Sequence, residues 1–465
     1  VVRSNMAQKG TITVSKSGEV FSSVSENNGL YQPIFAVSGL EGAVYEITAA
    51  EDIVTLDGTV RAKKGEVVDT VTTGKDGTAK SKELYLGKYE VKEITAPYGM
   101  VLNEEVRSVE LVYAGQNVDV TETATSFYNE RQRVEIDLIK SLAIDEAYGI
   151  GKNGEIFDVT FGLYAAEELT AADGKTIPAD GLIAEVSLNE NMTAVIAEKI
   201  PFGKYYVQEI ATDEHYVLNG EKYLVDFEYM GQEVTTVNID CGQFENELKR
   251  GKIEGIKVNE SDEPLENALF GLFQTDCTEF VESNAIMTAI SDETGYFAFD
   301  EVPYGEYIVK EIEAPTGYIL SEEGYLMTIS EDGEIVGITA ENKPITIEIS
   351  KQDVYGEELS GAEMELINSD EETVEKWTSD GTNHVVTELP AGDYTLKEIA
   401  APDGYVIATD ISFTVDVYGN VTVENVDAVA VSEDGNPLIV MVDDTTKVRI
   451  SKQDITNGKE LPGAK

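Results

Sequence analysis

The chain has few of the residues that build disulfide frameworks, metal centres and aromatic binding platforms. Its 465 residues include two cysteines, two histidines and one tryptophan. Cys241 and Cys277 are too few for a disulfide framework or a four-cysteine zinc site. The two could pair with each other, although a pair of inert thiols is the favoured interpretation.

Positive charge and long apolar runs are also scarce. The chain has 34 Lys and Arg against 88 Asp and Glu, which gives a formal net charge of −54. Phosphate groups would be repelled, so we expect no nucleic-acid partner and no binding to anionic membrane surfaces. No apolar run is long enough to cross a bilayer, so we expect no direct membrane insertion of this segment.

The acidic residues do not form a recognisable catalytic or metal site. Clusters such as 322–323, 371–372 and 443–444 lack the spacing of a calcium loop, so no metal and no cofactor are predicted. His215 and His384 have no Ser or Cys partner in a recognisable arrangement. Trp377 is the only tryptophan, and the scattered acids do not make a glycosidase pair. We therefore expect no enzyme with turnover.

Alternating apolar and polar runs rich in Val, Ile, Thr and Tyr dominate the chain. Turn signals such as Asp76-Gly77 and Asp332-Gly333 separate these runs, and helix-period segments are nearly absent. Short strands at regular spacing predict an all-β chain of sandwiches, and the length is enough for three to four domains.

One strand-like string occurs four times, at residues 87–99, 203–211, 305–318 and 392–405. In the third copy Tyr307, Val309 and Glu311 alternate with polar residues, so all three would share the face that meets a core. A single inward Glu would be read as a strand-end residue that reaches solvent. Four in register favour burial, which is costly for a carboxylate without a chemical partner. The other three are Glu93, Glu209 and Glu398.

Each repeat also opens with a strand that holds one Lys on an apolar face, and three repeats close with a strand that ends in Asn. The lysines are Lys16, Lys140, Lys257 and Lys351, and the asparagines are Asn129, Asn246 and Asn342. Asn342 precedes Lys351 by nine residues (351 − 342), and Asp443 precedes Lys452 by nine (452 − 443). Asp443 is therefore aligned with the asparagines, and Asn425 remains the rival.

A buried Lys, Glu and Asn together can form an amide bond. In an apolar site the amine loses its proton and becomes a nucleophile, while the carboxyl group gains one. The protonated Glu can polarise the Asn side chain and carry the proton to the departing ammonia. The product would be a Lys–Asn isopeptide bond, or with Asp the same amide after loss of water.

The string Tyr-x-Val-Lys-Glu-x-x-Ala-Pro-x-Gly-Tyr, together with the matched Lys and Asn positions, resembles the B-type domains of the collagen-adhesin family. These domains, also called prealbumin-like or SpaA-type pilin domains, occur in surface proteins of Gram-positive bacteria. The resemblance implies tandem immunoglobulin-like (inverse-Ig) β-sandwiches arranged as an elongated rod. It also implies four sites: Lys16, Glu93 and Asn129; Lys140, Glu209 and Asn246; Lys257, Glu311 and Asn342; Lys351, Glu398 and Asp443. The second copy departs most, with residues 211–216 replacing Ala-Pro-x-Gly-Tyr.

These features predict four domains, at 1–130, 131–249, 250–343 and 344–446, followed by the start of a fifth repeat at 447–465. The short junctions predict little freedom between neighbouring domains. The predicted function is a stalk on the bacterial cell surface, continuous with adjacent domains of a longer polypeptide and anchored to the wall through a region outside this sequence. A host or matrix ligand could be bound by another region, by loops 22–32 or 170–182, or the chain could be a polymerising pilin shaft.

Overall fold

The computed structural model describes residues 6–197, 199–424, 428–447 and 450–461. Asn425 and parts of the fifth repeat, including 448–449 and 462–465, lie outside the described residues. The chain divides into two compact units, Val1–Leu248 and Lys249–Lys465. Strands make up almost all of the regular structure, so the prediction of an all-β chain is confirmed.

The first unit contains the first and second repeats. Strands of the first repeat are β1 (Lys9–Asn27), β2 (Leu30–Gly39), β3 (Val44–Ala49), β4 (Ile53–Val54), β5 (Val60–Ala62), β6 (Val67–Thr72), β7 (Thr78–Lys80), β8 (Leu84–Tyr85), β9 (Gly87–Thr95), β10 (Val106–Leu111) and β11 (Val120–Asn129). The second repeat has β12 (Arg133–Leu142), a 3-10 turn (Glu155–Asp158), β13 (Thr160–Ala165), β14 (Leu169–Thr170), β15 (Thr176–Ile177), β16 (Leu182–Ser187), β17 (Thr193–Ile196), β18 (Gly203–Ala211), β19 (Tyr223–Phe227) and β20 (Thr236–Asn246).

The second unit contains the third and fourth repeats. The third has β21 (Arg250–Asn259), β22 (Leu269–Gln274), a 3-10 turn (Glu282–Asn284), β23 (Met287–Ile290), β24 (Tyr296–Pro303), β25 (Gly305–Glu313), β26 (Gly324–Ile329) and β27 (Ile335–Asn342). The fourth has β28 (Ile347–Asp353), β29 (Ser360–Asn368), β30 (Thr373–Asp380), β31 (His384–Val386), β32 (Gly392–Ala400), β33 (Tyr405–Val406), β34 (Ile411–Val415), β35 (Val421–Val423), β36 (Val429–Val431) and β37 (Pro437–Thr445).

All four repeats share one plan of two facing sheets. One sheet pairs the opening strand in parallel with the closing strand: β1 with β11, β12 with β20, β21 with β27, and β28 with β37. The facing sheet contains the Glu-bearing strand, which is β9, β18, β25 or β32. In the first repeat Val14 from one sheet and Val91 from the other are fully buried in a common core. Period-two patterning therefore gives each strand one core face, as in a sandwich.

A left-handed turn position recurs at or just before the start of the strand that pairs with the Glu-bearing strand, which is β3, β22 or β29 in the first, third and fourth repeats. Gly42 and Gly361 have φ of 91° and 94°, and the corresponding Asn267 has φ of 68°. Glycine and asparagine tolerate this region better than other residues do. The turn thus explains why Gly or Asn stands between Leu and Ala in these repeats.

The β1–β2 hairpin extends from the first repeat onto the second, and residues 20–37 are called the hairpin arm below. Val24 of the arm is 6% exposed and belongs to the apolar core cluster of the second repeat. Leu30 pairs with Leu182, and the backbone N–H of Ala172 donates to the Phe21 carbonyl at 3.1 Å. The segments 22–32 and 170–182, which the sequence offered as loops for ligand binding, therefore pack against each other.

Candidate functional sites

The parallel pairing of opening and closing strands brings each predicted Lys next to its predicted acceptor. In the first repeat Asn129 pairs with Gly18, two residues after Lys16, so both side chains lie on the core face. The same two-residue offset occurs in every repeat. Asn246 pairs with Leu142, Asn342 with Asn259, and Asp443 with Asp353.

The first site lies completely inside its sandwich. Lys16 Nζ donates a hydrogen bond to Asn129 Oδ1 and lies 3.1 Å from Glu93 Oε1, and both charged side chains are 0% exposed. Asn129 Nδ2 donates to the same Glu93 oxygen at 3.2 Å. The carboxyl group thus contacts both the amine and the amide nitrogen, which are the two groups between which a proton would have to pass.

The second site brings the equivalent three residues together, and its Glu contacts the amine and the amide nitrogen through different carboxyl oxygens. Lys140 Nζ lies 2.5 Å from Asn246 Oδ1 and 2.9 Å from Glu209 Oε2. Asn246 Nδ2 donates to Glu209 Oε1 at 2.5 Å and to Thr212 Oγ1 at 3.0 Å. The altered sequence at 211–216 therefore leaves the three predicted residues together.

In the third site Glu311 joins the other two residues. Lys257 Nζ lies 3.2 Å from Glu311 Oε1, and Asn342 Nδ2 donates to Glu311 Oε2 at 2.9 Å. The same amide nitrogen donates to the Ile319 carbonyl at 2.6 Å. Within the described residues, Asn342 Oδ1 is buried without a hydrogen-bond partner.

The fourth site has a carboxyl group as acceptor. Lys351 Nζ donates to Asp443 Oδ1 and lies 3.1 Å from Glu398 Oε1, and the side chains of Asp443 and Glu398 are 0% exposed. Burial raises the pKa of Asp443, while the neighbouring Lys351 opposes the shift. The rival acceptor Asn425 lies outside the described residues.

Burial also changes the protonation of the buried amines. It lowers the pKa of Lys16, Lys140 and Lys257, although the Glu beside each amine acts in the opposite direction. Desolvation penalises the ammonium form, so a larger share of each side chain is the neutral amine at a given pH. Only the neutral amine has the lone pair needed for nucleophilic attack.

Comparison with known families agrees with this repeated plan. The model of the SpaA prealbumin-like fold domain matches residues 36–125, 149–240, 251–344 and 345–428, which is more than half of the chain. The chain belongs to this SpaA family. The resemblance inferred from the sequence is thereby confirmed, and so is the tandem arrangement of prealbumin-like domains.

Several solved structures are similar to this SpaA-family chain. The TIE protein of Bacillus anthracis is 20% identical, with 96% of this chain and 76% of that one covered and a TM-score of 0.44. BcpA, the major pilin subunit of Bacillus cereus, is 16% identical, with 72% and 100% covered and a TM-score of 0.32. The shaft pilin SpaA of Lactobacillus rhamnosus GG is 13% identical, with 43% and 100% covered and a TM-score of 0.22. At these TM-scores the similarities carry no argument about function. A search of curated proteins finds no match.

A backbone contact that the sequence did not reveal holds the glutamate of every SpaA-type domain. The residue ten positions after the Glu donates its N–H to the carboxyl group: Asn103 to Glu93, Asn219 to Glu209, Ser321 to Glu311 and Ala408 to Glu398, at 2.9, 3.4, 2.9 and 2.7 Å. The constant spacing of ten is a signal in the sequence, but a backbone N–H leaves no mark on residue type. This contact fixes the rotamer of the Glu in all four domains.

A β-bulge follows the Glu in each of these domains and is a second feature that the sequence did not reveal. Tyr45 pairs with Glu93, whereas the preceding Val44 pairs with Thr95, so Ile94 is skipped. The second, third and fourth domains skip the corresponding Ile. Bulges bend a strand and redirect a side chain, and here the bulge ends the regular ladder at the Glu.

Aromatic side chains enclose the reactive groups of the first domain. Lys16 Nζ lies 5.9 Å from the ring centroids of both Tyr45 and Phe127, and the two rings are 4.9 Å apart. Phe161 and Phe244 make the corresponding pair in the second domain, also 4.9 Å apart. These rings exclude water and so produce the desolvation that lowers the lysine pKa.

Among the described residues, no group of three or more His, Cys, Asp or Glu side chains is placed to hold a metal ion. Cys241 and Cys277 are both free, and burial raises the pKa of the Cys241 thiol to about 11. In the parts of the chain that are described, no helix has the length and apolarity to cross a membrane.

Proposed function

We propose that this chain is a stalk segment of a pilus-like or adhesin protein on the bacterial cell surface, in which each domain is closed by a self-formed isopeptide bond. The observation that carries the proposal is the burial of Lys, Glu and Asn or Asp together at equivalent positions of all four repeats. Four unrelated structural accidents would not place three costly polar groups in the same register. The proposed domains are 1–130, 131–249, 250–343 and 344–446, followed by the start of a fifth.

The first site illustrates the proposed chemistry. The neutral Lys16 amine donates its lone pair to Asn129 Cγ, and the bond from Cγ to Nδ2 breaks. The proton that the amine loses passes through the carboxyl group of Glu93 to Nδ2, which leaves as ammonia. At the fourth site the raised pKa of Asp443 favours the protonated acid. Lys351 Nζ attacks Asp443 Cγ, and the hydroxyl group leaves as water with the proton that the amine loses, passed through Glu398.

Such a bond suits a stalk better than an enzyme. Each Lys and acceptor is consumed once, so the chemistry contributes stability and no turnover. Closing a loop of about 100 residues stabilises a domain by roughly 4–5 kcal/mol in the chain-entropy treatment of cross-links. Unlike a disulfide, an amide is not broken by reduction, which suits an extracellular chain with two cysteines.

The contacts of the hairpin arm favour the spacer over the ligand-binding alternative. Lys175 Nζ donates to Ser23 Oγ at 3.3 Å, and the Asp173 N–H donates to the Ser22 carbonyl at 3.2 Å. Segments 22–32 and 170–182, the two candidate binding loops, thus pack the first repeat on the second. Among the described residues, no contact favours an adhesive tip or a polymerising shaft.

Intact mass of the denatured, reduced chain tests the proposal. The expected deficit relative to the sequence is three ammonias and one water. Four ammonias would point to Asn425 as the fourth acceptor, and an unchanged mass would remove the isopeptide mechanism. Asp443→Asn gives a sharper check, because loss of ammonia from Asn and of water from Asp yield the same amide. The variant and the wild type should therefore have the same mass.

A further inference from the structure

At one position beside its acceptor the second domain carries a hydroxyl group where the other three domains have a methyl side chain. Thr212 stands three residues after Glu209, where the other domains have alanine. Its hydroxyl oxygen accepts a hydrogen bond from Asn246 Nδ2 at 3.0 Å. The equivalent alanines are Ala96, Ala314 and Ala401.

An asparagine amide nitrogen has two N–H groups, and the domains hold them in different ways. In the third domain one N–H donates to Glu311 and the other to the carbonyl of Ile319, which follows the Pro-x-Gly-Tyr turn. At the equivalent positions, 213–215, the second domain has Asp-Glu-His in place of Pro-x-Gly. There one N–H donates to Glu209 and the other to the Thr212 hydroxyl.

We infer that Thr212 is a positioning residue for the Lys140–Asn246 cross-link, an inference that rests on the proposed function. With Nδ2 held by Glu209 and Thr212, the amide plane is fixed and Oδ1 points to Lys140, 2.5 Å away. Attack by Lys140 Nζ on Asn246 Cγ breaks the bond to Nδ2, and Glu209 carries the proton from the amine to that nitrogen, which leaves as ammonia. Thr212 gains and loses no atom, and it keeps the leaving nitrogen beside its proton source.

The test follows bond formation in the full chain. Wild type, Thr212→Val and Thr212→Ser are made by cell-free synthesis, quenched in denaturant at successive times and digested. Mass spectrometry then measures the peptide linking Lys140 to Asn246 against the peptide linking Lys257 to Asn342 in the same chain. Valine keeps the shape of the side chain without the hydroxyl, and the third-domain peptide is the internal control.

We expect Thr212→Val to slow formation of the second bond about three- to tenfold, as for loss of one hydrogen bond in the reacting complex. Thr212→Ser should restore most of the rate. Equal rates for Thr212→Val and wild type would overturn the inference and leave the proposed bond standing. Absence of the Lys140–Asn246 peptide from the wild type would overturn both.

A second comparison separates positioning from folding. In a Lys140→Ala background, which cannot form the bond, adding Thr212→Val should lower the thermal midpoint by no more than about 8 °C, as for loss of one hydrogen bond of about 1 kcal/mol. A larger fall there would show that the hydroxyl serves the fold, and it would overturn the positioning role.

Discussion

Replacement of Glu311 by Gln should leave the third domain without its cross-link. A carboxamide has nearly the size of the carboxyl group but cannot accept the proton from Lys257 and deliver it to the Asn342 amide. Glu311 contacts both other residues of the site, at 3.2 Å to Lys257 and 2.9 Å to Asn342. The substitution therefore separates the chemistry from the packing of the site.

The expected loss of stability follows from the loop that the bond closes. Lys257 and Asn342 are 85 residues apart (342 − 257). For a loop of that length the chain-entropy treatment gives about 4.5 kcal/mol. In a domain of this size such a loss lowers the thermal midpoint by about 20–35 °C. A buried amine without its carboxylate partner would add to the loss.

The assay combines peptide mapping with calorimetry of the full chain, and Glu306→Gln is the matched control. Glu306 lies on the same strand as Glu311 but is exposed, so its substitution should change neither the bond nor the midpoint of the third domain. The linked peptides of the other three domains are internal standards. A Lys257–Asn342 peptide at wild-type yield in Glu311→Gln would refute the role of Glu311. A lost bond with an unchanged midpoint would refute the stability argument.

Two further predictions concern the first unit. In the Asn129→Ala variant no bond can form, so Lys16 keeps a free amine. Burial lowers the pKa of this amine from 10.5. Between the lowered pKa and 10.5, the folded chain therefore binds fewer protons than the unfolded chain. The free energy of unfolding should therefore rise with pH across that window, and a urea series that showed no rise would contradict the burial argument. Val24→Ala in the hairpin arm should destabilise the docked arm by about 2 kcal/mol and speed hydrogen exchange at 170–182. Val37 is 63% exposed in the same hairpin, so Val37→Ala should change the stability of the arm and the hydrogen exchange at 170–182 by little. Equal effects of Val24→Ala and Val37→Ala would contradict the docking of the arm.

Much of the candidate site could be predicted because its residues are on strands with a strict period of two. Once Tyr307 and Val309 are assigned to the core, Glu311 has no other face to occupy, and it is indeed 3% exposed. The Lys and acceptor positions recur in every repeat, so the opening and closing strands of the four repeats could be aligned before their hydrogen-bond pairing was known. The place of Asp443 beside Lys351 could be predicted in the same way, because Asp443 precedes Lys452 by nine residues, just as Asn342 precedes Lys351.

Features that depend on contacts between distant segments could not be predicted. The hairpin arm meets residues about 150 positions further along, as in the pairing of Leu30 with Leu182. Such docking depends on shape, whereas the sequence shows only that both segments are long. The bulge at Ile94 and the N–H of Asn103 are equally hidden, because a backbone group has the same chemistry whatever its side chain.

The spacing of the proposed bonds explains why a stalk would repeat them in every domain. Asn129 and Lys140 are 11 residues apart (140 − 129), as are Asn246 and Lys257 (257 − 246). In the cross-linked chain, tension leaves one bond through the acceptor and enters the next bond through the following Lys. The third and fourth acceptors each precede the following Lys by nine residues (351 − 342 and 452 − 443), so the backbone under tension in each repeat is about nine to eleven residues, or roughly 30–40 Å when fully extended. The roughly 100 residues between Lys and acceptor carry no tension, so the sandwich does not have to resist it.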